Sequence, residues 1–272
     1  MFDSGLGGLT VARELQLVMP GEAIVYLGDT ARVPYGTKSL QTIRRFALED
    51  AAFLLGFDPK MIVVACNSAS AAAVDVLRQR LPVEVVDVIQ PSAERAVARG
   101  SGPIGVIGTE ATVASGAYQR AIARMAPSRP VTAVACPLLV PIVEEGRDQS
   151  DPIVTHVLCD YLRLLQRIRP SVLILGCTHY PLLAGAIGKL MGPGTELINS
   201  GWAAAQEARA RLEAGGLRSA REDGGLLRCF TTDNPDRFAA VAQRFGACRI
   251  DQVEYVGTDE LEARTLPAGV SS

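Results

Sequence analysis

Met61-Ile-Val-Val-Ala-Cys66-Asn67-Ser68 and Val172-Leu-Ile-Leu-Gly-Cys177-Thr178-His179 follow one pattern: an apolar strand runs into a cysteine, and small or hydroxylated residues then lead into a helix. Near-continuous apolar runs suit parallel strands covered on both faces, whereas alternation would mark a half-exposed strand. The cysteines are 177 − 66 = 111 residues apart, close to the size of one small domain. The pair reads as two similar α/β units, each presenting a thiol at the carboxyl end of a strand. Open α/β sheets place ligands there.

The same rhythm extends outward. Val- and Ile-rich runs recur at 23–27, 83–89, 104–107, 131–135, 226–231 and 250–256. Between them lie segments with helix signals. Asp151-Pro152 offers an N-cap and a first-turn proline. Val154, Val157, Leu158, Tyr161, Leu162 and Leu165 follow at spacings of three and four. Gln90-Pro91-Ser92 opens another helix, which Gly100 ends. Strands alternating with helices indicate an α/β fold with mainly parallel sheets. Residues 214–225 read as a polar surface loop and 257–272 as a frayed tail.

Composition bounds the function classes. With 272 residues, 48% hydrophobic and 21% charged, the chain can fill a core in each half and is not disordered. A net charge of −2 gives no basic field for nucleic acid or an anionic membrane. The longest apolar stretch, 131–143, is broken by Pro137 and Pro141 and is shorter than the ~20 residues of a membrane span. No signal peptide is expected before Phe2-Asp3-Ser4-Gly5, so the expectation is a soluble, cytoplasmic protein. Six cysteines without a CxxC pair argue against a disulfide scaffold or a structural zinc site.

Cys66 and Cys177 are the candidate reactive groups. A thiol at a strand end facing a helix N-terminus feels the positive end of the dipole, which lowers its pKa. Cys136, Cys159, Cys229 and Cys248 lack that setting and read as core. Asp3 and His179 are placed to tune or relay protons, while His156 reads as a structural or solvent-facing mid-helix residue. Asp3-Ser4-Gly5-Leu6-Gly7-Gly8 lacks the third glycine of GxGxxG and any Walker lysine. Its glycines read as letting the backbone approach a small ligand, with Asp3 and Ser4 facing it. The segment from Gly28-Asp29-Thr30 to Val33-Pro34-Tyr35-Gly36 reads equally as a second ligand loop or as ordinary turn chemistry. Cys177-x-His179 has no further ligands nearby to hold a metal. The three lysines, Lys38, Lys60 and Lys189, avoid apolar strand ends, which disfavours a pyridoxal phosphate Schiff base.

Taken together, Phe2–Val11, Tyr26–Thr30 with Pro34–Gly36, Val64–Ala69, Gly108–Thr112, Pro141–Gly146 and Leu175–Leu183 resemble the glutamate racemases of the aspartate/glutamate racemase superfamily. The resemblance implies two Rossmann-like, pseudo-symmetric domains, 1–89 plus 200–256 and 90–199, with the active site in the cleft between them. It implies racemisation of L-glutamate to D-glutamate without cofactor or metal, supplying peptidoglycan synthesis and so cell-wall biogenesis and cell shape. Cys66 would handle the D-glutamate Cα proton and Cys177 the L-glutamate proton, with Asp3 and His179 beside their respective thiols. Glu144 or Glu145 would assist. Ser4, Pro34, Tyr35, Gly36, Asn67, Ser68, Thr109, Thr112 and Thr178 fall at positions resembling substrate-binding ones. Family members often form homodimers, which makes a second copy a candidate partner.

Two features depart from the family pattern. Ser68 replaces the usual threonine but keeps the hydroxyl. The family's short strand before Phe-Asp-Ser-Gly is abutted here by Met1, so that strand is expected to lie upstream or to be missing.

Racemisation would explain paired thiols. A weakly acidic Cα proton leaves one face of the carbon and another arrives on the opposite face, which two opposed groups do and one held base does not. Three rivals stay open: another member of the superfamily the chain resembles, acting on aspartate or a hydantoin, a cysteine hydrolase with His179 as base, and a non-catalytic binding cleft.

Overall fold

The computed structural model describes residues 1–245, 249–264 and 266; Cys248, expected in the core, lies outside them. The strands are β1 (Phe2–Asp3), β2 (Ile24–Gly28), β3 (Met61–Val64), β4 (Glu84–Asp87), β5 (Ile104–Gly108), β6 (Val131–Ala135), β7 (Val172–Gly176), β8 (Glu196–Asn199), β9 (Leu227–Thr231) and β10 (Gln252–Tyr255). They form two sheets, ordered β10-β9-β2-β1-β3-β4 and β6-β5-β7-β8. Every pairing between them is parallel. Each expected apolar run is a strand to within two residues at its ends.

The order β2-β1-β3-β4 in one sheet repeats as β6-β5-β7-β8 in the other. In each, the sheet grows away from its first strand in both directions, which leaves a crevice at that strand's carboxyl end. Cys66 follows β3 and Cys177 follows β7, so the two thiols occupy matching places beside the two crevices. β9 and β10 prolong the first sheet beyond β2.

Two strands carry no sequence signal of their own. β8 is an edge strand reading Glu-Leu-Ile-Asn. β1 is two residues long, but Phe2 pairs with Leu27 on one side and Val64 on the other. A two-residue strand therefore stands at Phe2–Asp3 itself, between β2 and β3, and it fixes Asp3 inside the sheet.

Helices cover both faces of the sheets. Asp151 Oδ1 caps the helix Pro152–Ile168 by accepting from Ile153 N at 2.7 Å. That helix buries Val154, Leu158, Leu162 and Leu165. Burial of a leucine-sized side chain contributes about 1.5–3 kcal/mol, so this stripe alone fastens the helix. Cys159 is exposed, which corrects its assignment to the core: one residue beyond Leu158 is about 100° around the helix, off the apolar stripe. Cys136 and Cys229 are buried, and His156 is exposed. The helix Ile89–Ala98 ends just before Gly100, whose φ is +73°. Residues 258–262, expected in a frayed tail, instead form a helix that buries Leu261 among residues of the helix Leu40–Leu55. Among the described residues, no helix is long and apolar enough to cross a membrane.

Candidate active site

A cavity of about 320 Å³ opens where the carboxyl ends of the two sheets face each other. Six connecting segments line it. From the first sheet come Ser4 and Gly5 after β1, Val33–Thr37 after β2, and Cys66, Asn67 and Ser68 after β3. From the second come Thr109 and Glu110 after β5, Pro137, Val140, Pro141 and Glu144 after β6, and Cys177, Thr178 and His179 after β7. Most residues singled out in the sequence thus meet in one place. Asp3, Thr112 and Glu145 are not among the lining residues: Asp3 and Thr112 are buried behind the wall and Glu145 is exposed. Thr37, Glu110, Pro137 and Val140 were not singled out as site residues; their signal was adjacency to motif residues. A larger hollow of about 520 Å³ lies at the amino ends of the first sheet's strands, lined by residues that include Met1, Met19 and Lys60 and by none of the described cysteines.

Cys66 caps the helix Asn67–Arg80, its Sγ accepting from Ala69 N at 3.4 Å. Burial, followed by the nearby charge of Asp3, pushes this thiol up to about 12, against the opposing hydrogen bonds from Ala69 and Ser4. The helix terminus alone predicted a lowered value; burial reverses the sign for this residue. Asp3 Oδ2 accepts from Gly8 N at 2.9 Å and Gly5 N at 3.1 Å, while its buried Oδ1 has no hydrogen-bond partner among the described residues. Burial raises the Asp3 carboxyl above its ordinary value, although His179 and the two backbone donors pull it down.

Cys177 has a different neighbourhood. The chain after it enters a 3₁₀ turn, Tyr180–Leu183, and not directly an α-helix. Its Sγ lies 3.8 Å from His179 Nδ1, and His179 Nε2 lies 3.0 Å from Glu144 Oε1. The imidazole stands edge-on to Phe245, 5.4 Å between centroids at 82°. Burial disfavours the imidazolium, but hydrogen bonds to Cys177 and Glu144 outweigh it and raise His179 to about 10. One sulfur therefore sits beside a carboxylate and the other beside a cation.

Close packing joins the two halves. A Cβ at Gly7 would meet Thr178 Oγ1 at 2.3 Å and His179 Cε1 at 2.5 Å; one at Gly36 would meet Thr109 Cβ at 2.7 Å. These glycines make room for the opposite half of the protein; a small ligand was the expectation for Gly7. Thr10 Oγ1 donates to Thr178 O at 2.8 Å across the same seam. Ser68 Oγ lies 2.9 Å from Thr109 Oγ1 and 3.3 Å from Thr112 Oγ1, so Thr112 backs a cluster of hydroxyls.

The wall containing Pro34, Tyr35 and Gly36 rests on buried charge. Arg32 donates to Asp29 at 2.7 Å, to Asp50 at 3.1 Å, and to Glu49. The Tyr35 hydroxyl lies between Asp29 and Asp50. Burial and the charge of Asp29 push the Asp50 carboxyl well up. One phenol proton cannot serve both carboxylates, and a neutral Asp50 donating to Tyr35 resolves the conflict.

The profile of the Asp/Glu/hydantoin racemases matches residues 10–208. The chain belongs to this family. It is 44% identical over 261 residues to the glutamate racemase of Geobacter metallireducens, covering 95% of this chain and 96% of that one. Among solved structures, it is similar to glutamate racemase isoform RacE1 from Bacillus anthracis (TM-score 0.90, 37% identity, covering 94% of this chain and 95% of that chain). It is also similar to the glutamate racemase from Francisella tularensis in complex with D-glutamate (TM-score 0.88, 36% identity, covering 95% and 96%). The protein is thus an isomerase, an amino-acid racemase.

For a racemase the composition of the cavity wall matters. None of the lining residues is a lysine or arginine, so apart from the His179 imidazolium the donors that face a substrate carboxylate are hydroxyls, amides and backbone N–H groups. Such donors can hold charge that develops during reaction without needing to reorganise.

Proposed function

We propose that this racemase interconverts L- and D-glutamate with Cys66 and Cys177 as its two proton carriers and no cofactor, and that its D-glutamate supplies peptidoglycan synthesis in the cytoplasm. The observation that carries this reading is that two thiols from opposite sheets line one cavity in opposite electrostatic settings. The bound D-glutamate of the Francisella relative supports the choice of substrate.

In the L-to-D direction, Cys177 acts as thiolate, with the His179 imidazolium and Glu144 behind it. Its sulfur takes the Cα proton; the C–H electron pair moves into the α-carboxylate, and an S–H bond forms. Cys66, kept as a thiol by burial and by Asp3, gives its proton to the other face and becomes thiolate. The reverse direction exchanges these roles, and no electrons are gained or lost overall. Donors from Ser4, Asn67, Ser68, Thr109 and Thr178 surround the carboxylate, each well-placed one being worth ~3–4 kcal/mol in such sites.

The test is incubation with L-glutamate in D₂O without added cofactor, following Cα deuteration by NMR and optical rotation together. Rotation should decay to zero as deuterium enters Cα. Cys66→Ala and Cys177→Ala should each lose at least the 10²–10⁴-fold typical of a general acid or base, with the circular dichroism of the fold retained. Full activity in either variant overturns the two-thiol scheme, and faster turnover of aspartate overturns the substrate.

A further inference from the structure

We propose that Tyr118 is a positioning residue that ties the two cysteine-bearing turns together, holding Asn67 through its hydroxyl and Gly176 through its ring. The inference rests on the two-thiol reading of the cleft. Tyr118 belongs to the helix Ala117–Met125 and is 1% exposed. Its hydroxyl donates to Asn67 Oδ1 at 2.7 Å. Asn67 immediately follows Cys66 and lines the cavity. The other end of that amide, Nδ2, lies 3.5 Å from Ser200 Oγ, which in turn donates to Leu175 O at 3.0 Å. The ring meanwhile lies against Gly176, the residue before Cys177: a Cβ there would come within 3.0 Å of Tyr118 Cε2. Burial pushes the phenol well above its ordinary value, so it stays a donor at working pH.

One rigid side chain therefore touches the neighbour of each sulfur, on turns that belong to different sheets. Two proton carriers must flank one carbon with small tolerance, and misplacement by about 1 Å costs on the order of a hundredfold in rate. A hydrogen bond to Asn67 and van der Waals contact with Gly176 set the spacing of the two turns without either group reaching the substrate.

Tyr118→Phe keeps the ring and removes the hydroxyl. The expected result is a ten- to hundredfold fall in kcat with glutamate, with KM changing less than kcat. Mirror-image substrates have an equilibrium constant of one, so kcat/KM falls equally in both directions. The affected side shows instead in the primary isotope effects: Cα-deuterated D-glutamate, whose label goes to Cys66 beside Asn67, should change more than the L-form. In an Asn67→Ala background the same substitution should cost no more than about twofold, because it acts through Asn67. All rates are read well below each variant's Tm. Kinetics and isotope effects within about twofold of the parent, or equal losses in both backgrounds, overturn the role of Tyr118 even where Tm falls. A parent that does not racemise glutamate overturns the substrate reading and this inference with it; an active parent with an unaltered variant overturns Tyr118 alone.

Discussion

Replacing Arg32 by methionine should destabilise the protein and loosen one wall of the cleft. The side chain of Arg32 is 9% exposed and those of Asp29 and Asp50 are 0% exposed, so the guanidinium compensates charge that water cannot reach. Methionine fills similar volume and keeps the packing against Phe46, whose ring centroid lies 4.1 Å from the guanidinium carbon. It removes every hydrogen bond and leaves Asp29 as an uncompensated buried carboxylate. Breaking a buried pair from one side typically costs about 3–5 kcal/mol. At about 2–4 °C per kcal/mol for a chain of this size, the expected fall in Tm is roughly 6–20 °C. Tyr35 loses its anchored acceptors, so KM should rise as the Val33–Thr37 wall loosens. Thermal unfolding followed by circular dichroism reads the first effect and initial rates the second. Adding Asp29→Asn should recover part of the loss, because it removes the orphaned charge. Asp50→Asn alone should cost about 1 kcal/mol or less, since an amide resembles the neutral carboxyl already favoured there. An Arg32→Met protein that melts with the parent and keeps its KM refutes the compensation argument.

Gly7→Ala forces a methyl into Thr178 and His179; kcat should drop about a hundredfold while the circular dichroism spectrum stays native, and an active variant would show that the seam yields. His179 has its folded pKa raised from 6.5 to about 10, so its contribution to stability is full below about 6.5 and lost as pH climbs through about 10. Urea midpoints across that window should fall in the parent and fall less in His179→Asn; parallel slopes would remove His179 as the cause. Cys159→Ser should delete one fast-reacting thiol in a titration of the native protein and leave kcat unchanged, because that side chain faces solvent and lies outside the cavity wall.

The legible parts of the molecule were the locally encoded ones. Val172–Gly176 is apolar throughout and became a fully buried strand; Asp151-Pro152 capped its helix with its own atoms. What escaped depends on partners far along the chain. β1 is a strand only because Leu27 and Val64 flank Phe2. Cys66 sits at the helix terminus anticipated for it, but the sequence does not show that the thiol is sealed from water or that Asp3 approaches it, and those two facts decide its pKa. Asp3 itself turns its carboxylate toward Gly5 and Gly8, behind the cavity wall. Tyr118 carries no motif, and its meaning appears only when Asn67 and Gly176 meet it in space.

The break in pseudo-symmetry has a chemical reason on the two-thiol scheme. A turnover starts from one proton shared between two thiols. Two identical, independent thiols would hold that single-proton state in at most about half of the molecules, and only near their common pKa. Opposed environments enlarge that population: Asp3 and burial keep the proton on Cys66, while a cation stands beside Cys177. Four strands of the first sheet repeat the order of the second, yet the residue behind one sulfur is an acid and the residue beside the other is a base. Asp3→Asn tests this directly. In a Cys177→Ala background, removing the Asp3 charge should lower the Cys66 pKa and so enlarge its thiolate fraction at fixed pH. Alkylation by iodoacetamide should accelerate in proportion, because only the thiolate reacts, and a roughly tenfold larger thiolate fraction gives a roughly tenfold faster rate. An unchanged or slower rate would mean that burial alone holds the proton on Cys66, and the acid behind it would need another explanation.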